Sequence, residues 1–476
     1  MVYRPSEDKS HSSIYLHDVR IASSTSTNNA SKASQSTIVD AEHQFGESES
    51  VPNNGIEGFD YSTLPPVDTG KDAWLCLLAV FTIEVMILGY GFSYGVFQDF
   101  YAVNEPFASS SSNSSVIGVL TTGILFLTTP IFLPLCRHYP QWARWMATFG
   151  VFLALISNIA SSFCTKIPQL IGTQGVILGL AGGLAFCPCL VYIDQWFDKR
   201  KGLAFGIFGS GAGFGGVFIP LMLRAMLNNV GFATTMRIWA GIHAGIGLTA
   251  AYFVKPRLPP AATLTRPFWN PRALRSRFFL MNQLANTIQG AGYYLPGIYL
   301  PTYAREILGA SAWPATVSLM IFNISATIGL ILMGHFTDRF TSRTCILVSS
   351  LGSTIAALIV WGLTTHIATL YTFSILFGLF SGSWPAVWPA VMRETARRGE
   401  ERGFGYVDTL MVYSLLCVGR GVGNIVSGPL SEALTKDMPW KGAVIGGYGS
   451  GYGALILFSG LTSLVSGINT LWYQKL

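Results

Sequence analysis

Two ionisable residues lie deep inside apolar stretches of this chain, where a charge needs a reason. Glu84 sits near the middle of WLCLLAVFTIEVMILGYGF, and Arg420 follows LLCVG in a second such run. A charged side chain at the bilayer midplane costs roughly 2.5–3.5 kcal/mol on insertion scales. A carboxyl group at Glu84 could take up and release a proton, and the Arg420 guanidinium could anchor an anionic or polar solute. The bland alternative is structural: the two pair with each other or with local polar groups, and Gly419, Gly421 and Gly423 around Arg420 signal tight packing. A third feature is the series Asn282, Asn286, Gln289 and Tyr293, which falls on one helical face. Such a stripe is either a wall of a solute site or an interhelical hydrogen-bond ladder. Just beyond, Gly290, Gly292, Pro296 and Gly297 predict an interruption of that helix. Trp384 and Trp388, each followed by proline, form a rigid aromatic surface that could stack a planar solute or simply pack.

The elements that must position these residues are membrane spans. Of the 476 residues, 50% are hydrophobic and only 11% charged, against roughly 25% charged in ordinary soluble domains. About 20 residues at ~1.5 Å rise cross a hydrocarbon core. By that measure spans 1–6 run near 73–98, 115–136, 143–164, 169–194, 202–226 and 237–254. Spans 7–12 follow near 278–303, 313–335, 344–364, 368–392, 405–430 and 448–472. The expected fold is therefore an all-α membrane protein, with twelve transmembrane helices in two six-helix halves. Residues 72–254 form the first half, 255–277 a basic cytoplasmic linker, and 278–476 the second half. Residues 1–71 are rich in Ser, Thr, Asn and acids without an apolar run, the composition of a disordered cytoplasmic tail.

Charge distribution tests the count. With both termini placed inside, 19 Lys and Arg from Lys71 onward fall on inward segments and six on outward loops, the asymmetry of the positive-inside rule. The net charge of +6 thus marks topology, and no nucleic-acid partner is expected. The sequon at Asn113 falls in the first outward loop, where it is open to glycosylation. All seven cysteines lie in apolar runs, and Cys187-Pro188-Cys189 reads as small packing residues, so neither a metal nor another cofactor is expected.

Between spans 4 and 5 the turn Asp198-Lys199-Arg200-Lys201 opens onto a glycine ladder at positions 202, 206, 209, 211, 213, 215 and 216. No strand precedes it, so a dinucleotide loop is excluded by context, and close helix packing explains the spacing. Two six-helix halves joined by a basic linker resemble the major facilitator superfamily. WFDKRKGLAFGIFGSGAGFGG resembles the aromatic pair, basic triplet and glycine-rich helix of the monocarboxylate-porter family. GYGFSYGVFQDFY in span 1 and GRGVGNIVSGPLSEAL in span 11 are similar to fungal members. After span 8, Gly334, Asp338, Arg339 and Arg343 resemble the superfamily's loop signature. The matching turn after span 2, Cys136-Arg137-His138-Tyr139-Pro140, holds no acid. Leu330 stands where many of these porters carry an arginine in span 8, and no lysine occurs between Lys71 and Lys166. Both departures point away from lactate or pyruvate and towards another organic solute.

The resemblance implies a secondary transporter working by alternating access, with span 7 lining a central cavity. The expected substrate-binding set is Asn282, Asn286, Gln289, Tyr293, Trp384, Trp388 and Arg420, with Glu84 as the proton-coupling residue. Asp198, Lys199, Arg200, Gly334, Asp338, Arg339 and Arg343 form the gating loops. The partners are a lipid bilayer, a small organic solute that is monocarboxylate-like or a secondary metabolite, and protons. The functional unit is expected to be a monomer in the plasma membrane. Two alternatives stay open: export rather than import, and a non-transporting sensor that keeps the fold. No Walker segment, HExxH or paired in-membrane aspartates point to an ATP-driven pump or an enzyme.

Overall fold

The computed structural model describes residues 64–108, 115–259, 268–468 and 470. The expected tail up to residue 63 and the sequon at Asn113 lie outside the described residues. Within them every regular element is helical and none is a strand. Among the described residues nine helices are long and apolar enough to cross a membrane. One of these, Lys201–Phe253, holds both span 5 and span 6, which meet at Gly231 with φ 75° and ψ 174°. That left-handed backbone turns the chain back at a residue without a Cβ. Arg277–Glu306 supplies span 7 and the short Gly453–Ile468 supplies span 12, which completes the expected twelve.

Three details differ from expectation. Span 7 is not interrupted: it is one continuous helix of 30 residues with Pro296 and Pro301 inside it. Membrane helices tolerate proline where neighbouring helices and small local adjustments re-satisfy the freed carbonyls. Its glycines serve contact instead, since a Cβ at Gly292 would overlap the Thr462 hydroxyl of span 12. The broken helix is span 10. One helix ends at Ser381, a 3₁₀ turn covers Trp384–Val387, and a second helix starts at Trp388. Pro385 and Pro389 lack the N–H groups that a continuous ladder needs, and each occupies an early helical position where that loss is harmless. Span 11 also starts late, at Thr409, with the Asp408 side chain capping Leu410 N–H.

The glycine ladder explains the centre of the bundle. Span 5 lies between span 1 and span 8, and its glycines divide between those neighbours. A Cβ at Gly206 would come 2.5 Å from the Leu330 carbonyl of span 8, and one at Gly215 2.6 Å from Gly89 Cα of span 1. Backbones this close leave no room for any side chain. Span 11 meets span 7 in the same way at Gly423 and meets span 2 at Gly421. Large apolar side chains such as Trp142, Trp145, Phe149 and Trp313 point outward and are mostly exposed, as suits a surface bathed in lipid rather than water.

Candidate functional site

The turns after spans 2, 4, 8 and 10 meet at one end of the bundle, here termed the basic face. About halfway in from it, the residues singled out on spans 7, 10 and 11 come together. Asn286 joins all three helices: its Nδ2 donates to the Leu416 carbonyl at 2.7 Å, and its Oδ1 accepts from Trp384 Nε1 at 3.0 Å and Trp388 Nε1 at 3.2 Å. One turn further on, Gln289 Nε2 donates to the Ser381 hydroxyl at 3.0 Å, while Arg420 Nη1 donates to its Oε1. Asn282 donates to Phe278 O of its own helix at 2.8 Å. Part of the stripe is thus a ladder: Asn286 and Gln289 tie the break in span 10 to spans 7 and 11. What it leaves available are ring faces and the remaining guanidinium donors.

Arg420 is 2% exposed, and among the described residues it has no carboxylate partner. Its guanidinium carbon lies 4.4 Å from the Tyr293 ring centre and 5.1 Å from that of Tyr294. The ring quadrupoles attract the cation but leave its charge uncompensated. Aromatic rings close the cluster above and below. Tyr413 packs 5.2 Å from both Phe205 and Trp388 on the side of the basic face, and Phe92 stacks on Tyr294 at 6.2 Å on the other. Glu84 is equally buried, with Oε2 making no hydrogen bond. It lies against Gly211 of span 5, whose Cβ would come 3.0 Å from Glu84 Cβ, and it forms no ion pair with Arg420. Two ionisable groups with no ion pair between them, rather than one bridge, occupy the middle of the bundle.

The basic face is held by carboxylates on helix starts. Asp338, at the end of span 8, accepts from Gly202 N at 2.7 Å and Leu203 N at 2.9 Å of span 5. Those N–H groups lack intrahelical partners and carry the positive end of the helix dipole. Arg393 joins them, donating to Thr337 O at 2.7 Å and lying 3.5 Å from Asp338. Gly334 supplies the close approach, since its Cβ would lie 2.5 Å from the Gly202 carbonyl. Arg339 and Arg343 make no ion pair among the described residues, so this junction rests on Arg393 instead. Lys199 and Arg200 point into solvent, and Asp198, Lys199 and Arg200 contribute main chain instead. Their N–H groups all donate to the Asp68 carboxylate at 2.9–3.0 Å.

The acid missing after span 2 turns up on the partner helix. Arg137 pairs with Asp408 at the start of span 11. Burial, the larger influence, pushes the Asp408 carboxyl above the ordinary aspartate range, while Arg137 pulls it back in part. Sequence reasoning missed Asp68, Arg393 and Asp408. The one available signal was an aspartate immediately before a long apolar run, the mark of a helix cap.

A family profile described as Major Facilitator Superfamily matches residues 73–401. The chain belongs to that superfamily. It is a multi-pass integral membrane protein and a secondary transporter of small organic solutes. Its relatives are fungal. "MFS-type transporter pynF" of Aspergillus niger is 28% identical over 324 residues, 68% of this chain and 74% of the relative. "Aspyridones efflux protein apdF" of Emericella nidulans is 29% identical over 66% of this chain, and the match spans 63% of that relative. "MFS-type transporter hasB" of Aspergillus fumigatus is 28% identical over 85% of this chain and 89% of its own length. In this transporter the profile covers spans 1 to 10, so it reaches Glu84, the span 7 stripe and both tryptophans but stops short of Arg420.

Proposed function

We propose that this transporter exports an organic acid of the secondary-metabolite kind, holding its anionic group at Arg420. The observation that carries this reading is the buried guanidinium without a carboxylate partner, set against the faces of Tyr293 and Tyr294, one helical turn along span 7 from the Asn286 that holds Trp384 and Trp388. A lone buried cation is costly, and a bidentate anion meets the geometry of its remaining donors. The rings suit a planar body attached to the acid. The efflux relative favours the outward direction, and the monocarboxylate-porter resemblance favours an acid.

The solute moves as residues 72–254 and 278–476 rock about the cluster, with 255–277 as their tether. The basic face is cytoplasmic, both termini are inside, the membrane is the plasma membrane, and one copy is the working unit. Glu84 is the proton-coupling residue: as a carboxyl at mid-depth without an ion-pair partner it can balance the solute's charge by exchanging a proton. The test is flux of a panel of aromatic and aliphatic organic acids into proteoliposomes, with and without an imposed pH gradient. Arg420→Gln should abolish transport of the accepted acid, and Arg420→Lys should leave it strongly reduced, since lysine cannot form the bidentate fork. Glu84→Gln should retain solute exchange and lose the response to the gradient. Equal transport of acids and their amides would overturn the anion reading. A gradient response unchanged in Glu84→Gln would overturn the coupling role.

A further inference from the structure

A cavity lies apart from the central cluster, inside the amino-terminal half. Met86 and Tyr90 of span 1, Thr121 and Thr122 of span 2, Gly182 of span 4 and His243 of span 6 line it, and it has room for about one water. The Tyr90 ring stacks on Trp239 at 5.5 Å, and Trp239 meets His243 edge-on at 6.0 Å. All three side chains are at most 3% exposed. Tyr90 Oη, Trp239 Nε1 and both ring nitrogens of His243 are buried without a hydrogen-bond partner. A buried polar atom left unpaired is costly, because it has given up its bonds to water. Several in one place, around a cavity of this size, mark a site built for a small hydrogen-bonding ligand.

We propose that this cavity is a water-linked proton site, with His243 as the acceptor, coupled to the contact between spans 2 and 11. Of the lining groups only Tyr90 and His243 can titrate, and spans 2, 3 and 4 present Thr121, Thr122, Val151, Ala154 and Leu178. The neighbouring charges face elsewhere. Glu84 of span 1 lies against Gly211, Arg237 of span 6 bonds Ser162, and Arg144 of span 3 sits over Tyr252. An imidazolium here has no counterion, so it requires water. The wall residue Thr122 is also the acceptor of the Asn424 amide of span 11, so parting these spans at that point admits water beside His243. Linkage is reciprocal: if opening favours the proton, the proton favours opening. This goes beyond the substrate reading and holds for whichever solute Arg420 takes.

The test uses the full chain in lipid nanodiscs, carbon-13 labelled at its seven histidines and titrated from pH 8 to 5 by NMR, with the proton as the probe. His243 is identified as the resonance lost in His243→Gln. If that variant does not fold, Tyr90→Phe identifies it as the resonance that moves. In Asn424→Ala, His243 should bind its proton at least about tenfold more tightly than in the unsubstituted protein. Identical curves in the two proteins, or no titration of His243 in either, would overturn the proposal. Neither outcome bears on Arg420, so the solute reading stands or falls separately.

Discussion

Replacing Asp338 tests the idea that a carboxylate on a helix start keeps the basic face shut. Its oxygens take two main-chain N–H groups of span 5 at 2.7 and 2.9 Å and lie 3.5 Å from Arg393, with the side chain 9% exposed. Hydrogen bonds to a charged group contribute about 1.5–3 kcal/mol each, and a capping acid about 1–2 kcal/mol against alanine. Because both bonds end on one carboxylate, their effects overlap, and about 3 kcal/mol is a reasonable loss for Asp338→Ala. In any conformation with spans 5 and 8 apart on this face, none of these bonds exists. The ratio of closed to open molecules should therefore fall about 150-fold in Asp338→Ala. Asp338→Asn keeps one acceptor oxygen, and its loss should be nearer tenfold. Spin labels at Lys199 and Arg339, both solvent-exposed on opposite sides of the junction, read the ratio by pulsed EPR. The unsubstituted protein should give one short distance, and Asp338→Ala should add a longer one. A distance distribution unchanged by Asp338→Ala would refute the reasoning, because the bonds would then hold nothing shut.

Other substitutions probe other links. Gly206→Ala places a methyl 2.5 Å from the Leu330 carbonyl and should lower stability by about 1–3 kcal/mol. Gly241→Ala meets nothing within 4 Å, and equal melting shifts for the two would contradict the close-packing account. Asn286→Leu strands two indole N–H groups and the Leu416 carbonyl, at about 2–3 kcal/mol of stability, whereas Trp388→Phe removes one bond, at about 1 kcal/mol. Thermal melts of the purified protein rank them. For Asp408 the sign is less obvious. A carboxyl raised within the fold adds stability that is fully present below its unfolded value and is lost as pH rises through the folded one. At neutral pH its charge is thus a cost to the fold, even as it holds Arg137. Asp408→Asn keeps the cap on Leu410, so the melting temperature at pH 7 should hold or rise while the basic face loosens. A fall of more than about 4 °C would count against that sign.

The sequence by itself determined the twelve spans, the close helix contacts and the stripe on span 7. Each is written in local pattern: apolar length against bilayer thickness, glycine spacing against helical pitch, and polar residues recurring on one face. It also marked Glu84 and Arg420, because charge in an apolar run is costly wherever the run folds. Only the tertiary structure decided what these residues meet. Whether Arg420 finds Glu84 depends on the rotation of spans 1 and 11, and no local pattern encodes that rotation. The Asn286 bonds to Trp384 and Trp388 join residues roughly a hundred apart in the chain, so the prolines of span 10 mark where it breaks but not what the break meets. At the basic face, Asp68 reaches the 4–5 turn across 130 residues, and Asp408 meets Arg137 across 271. An exposed-looking aspartate near a chain turn gives no sign of its partner until folding brings a helix start to it.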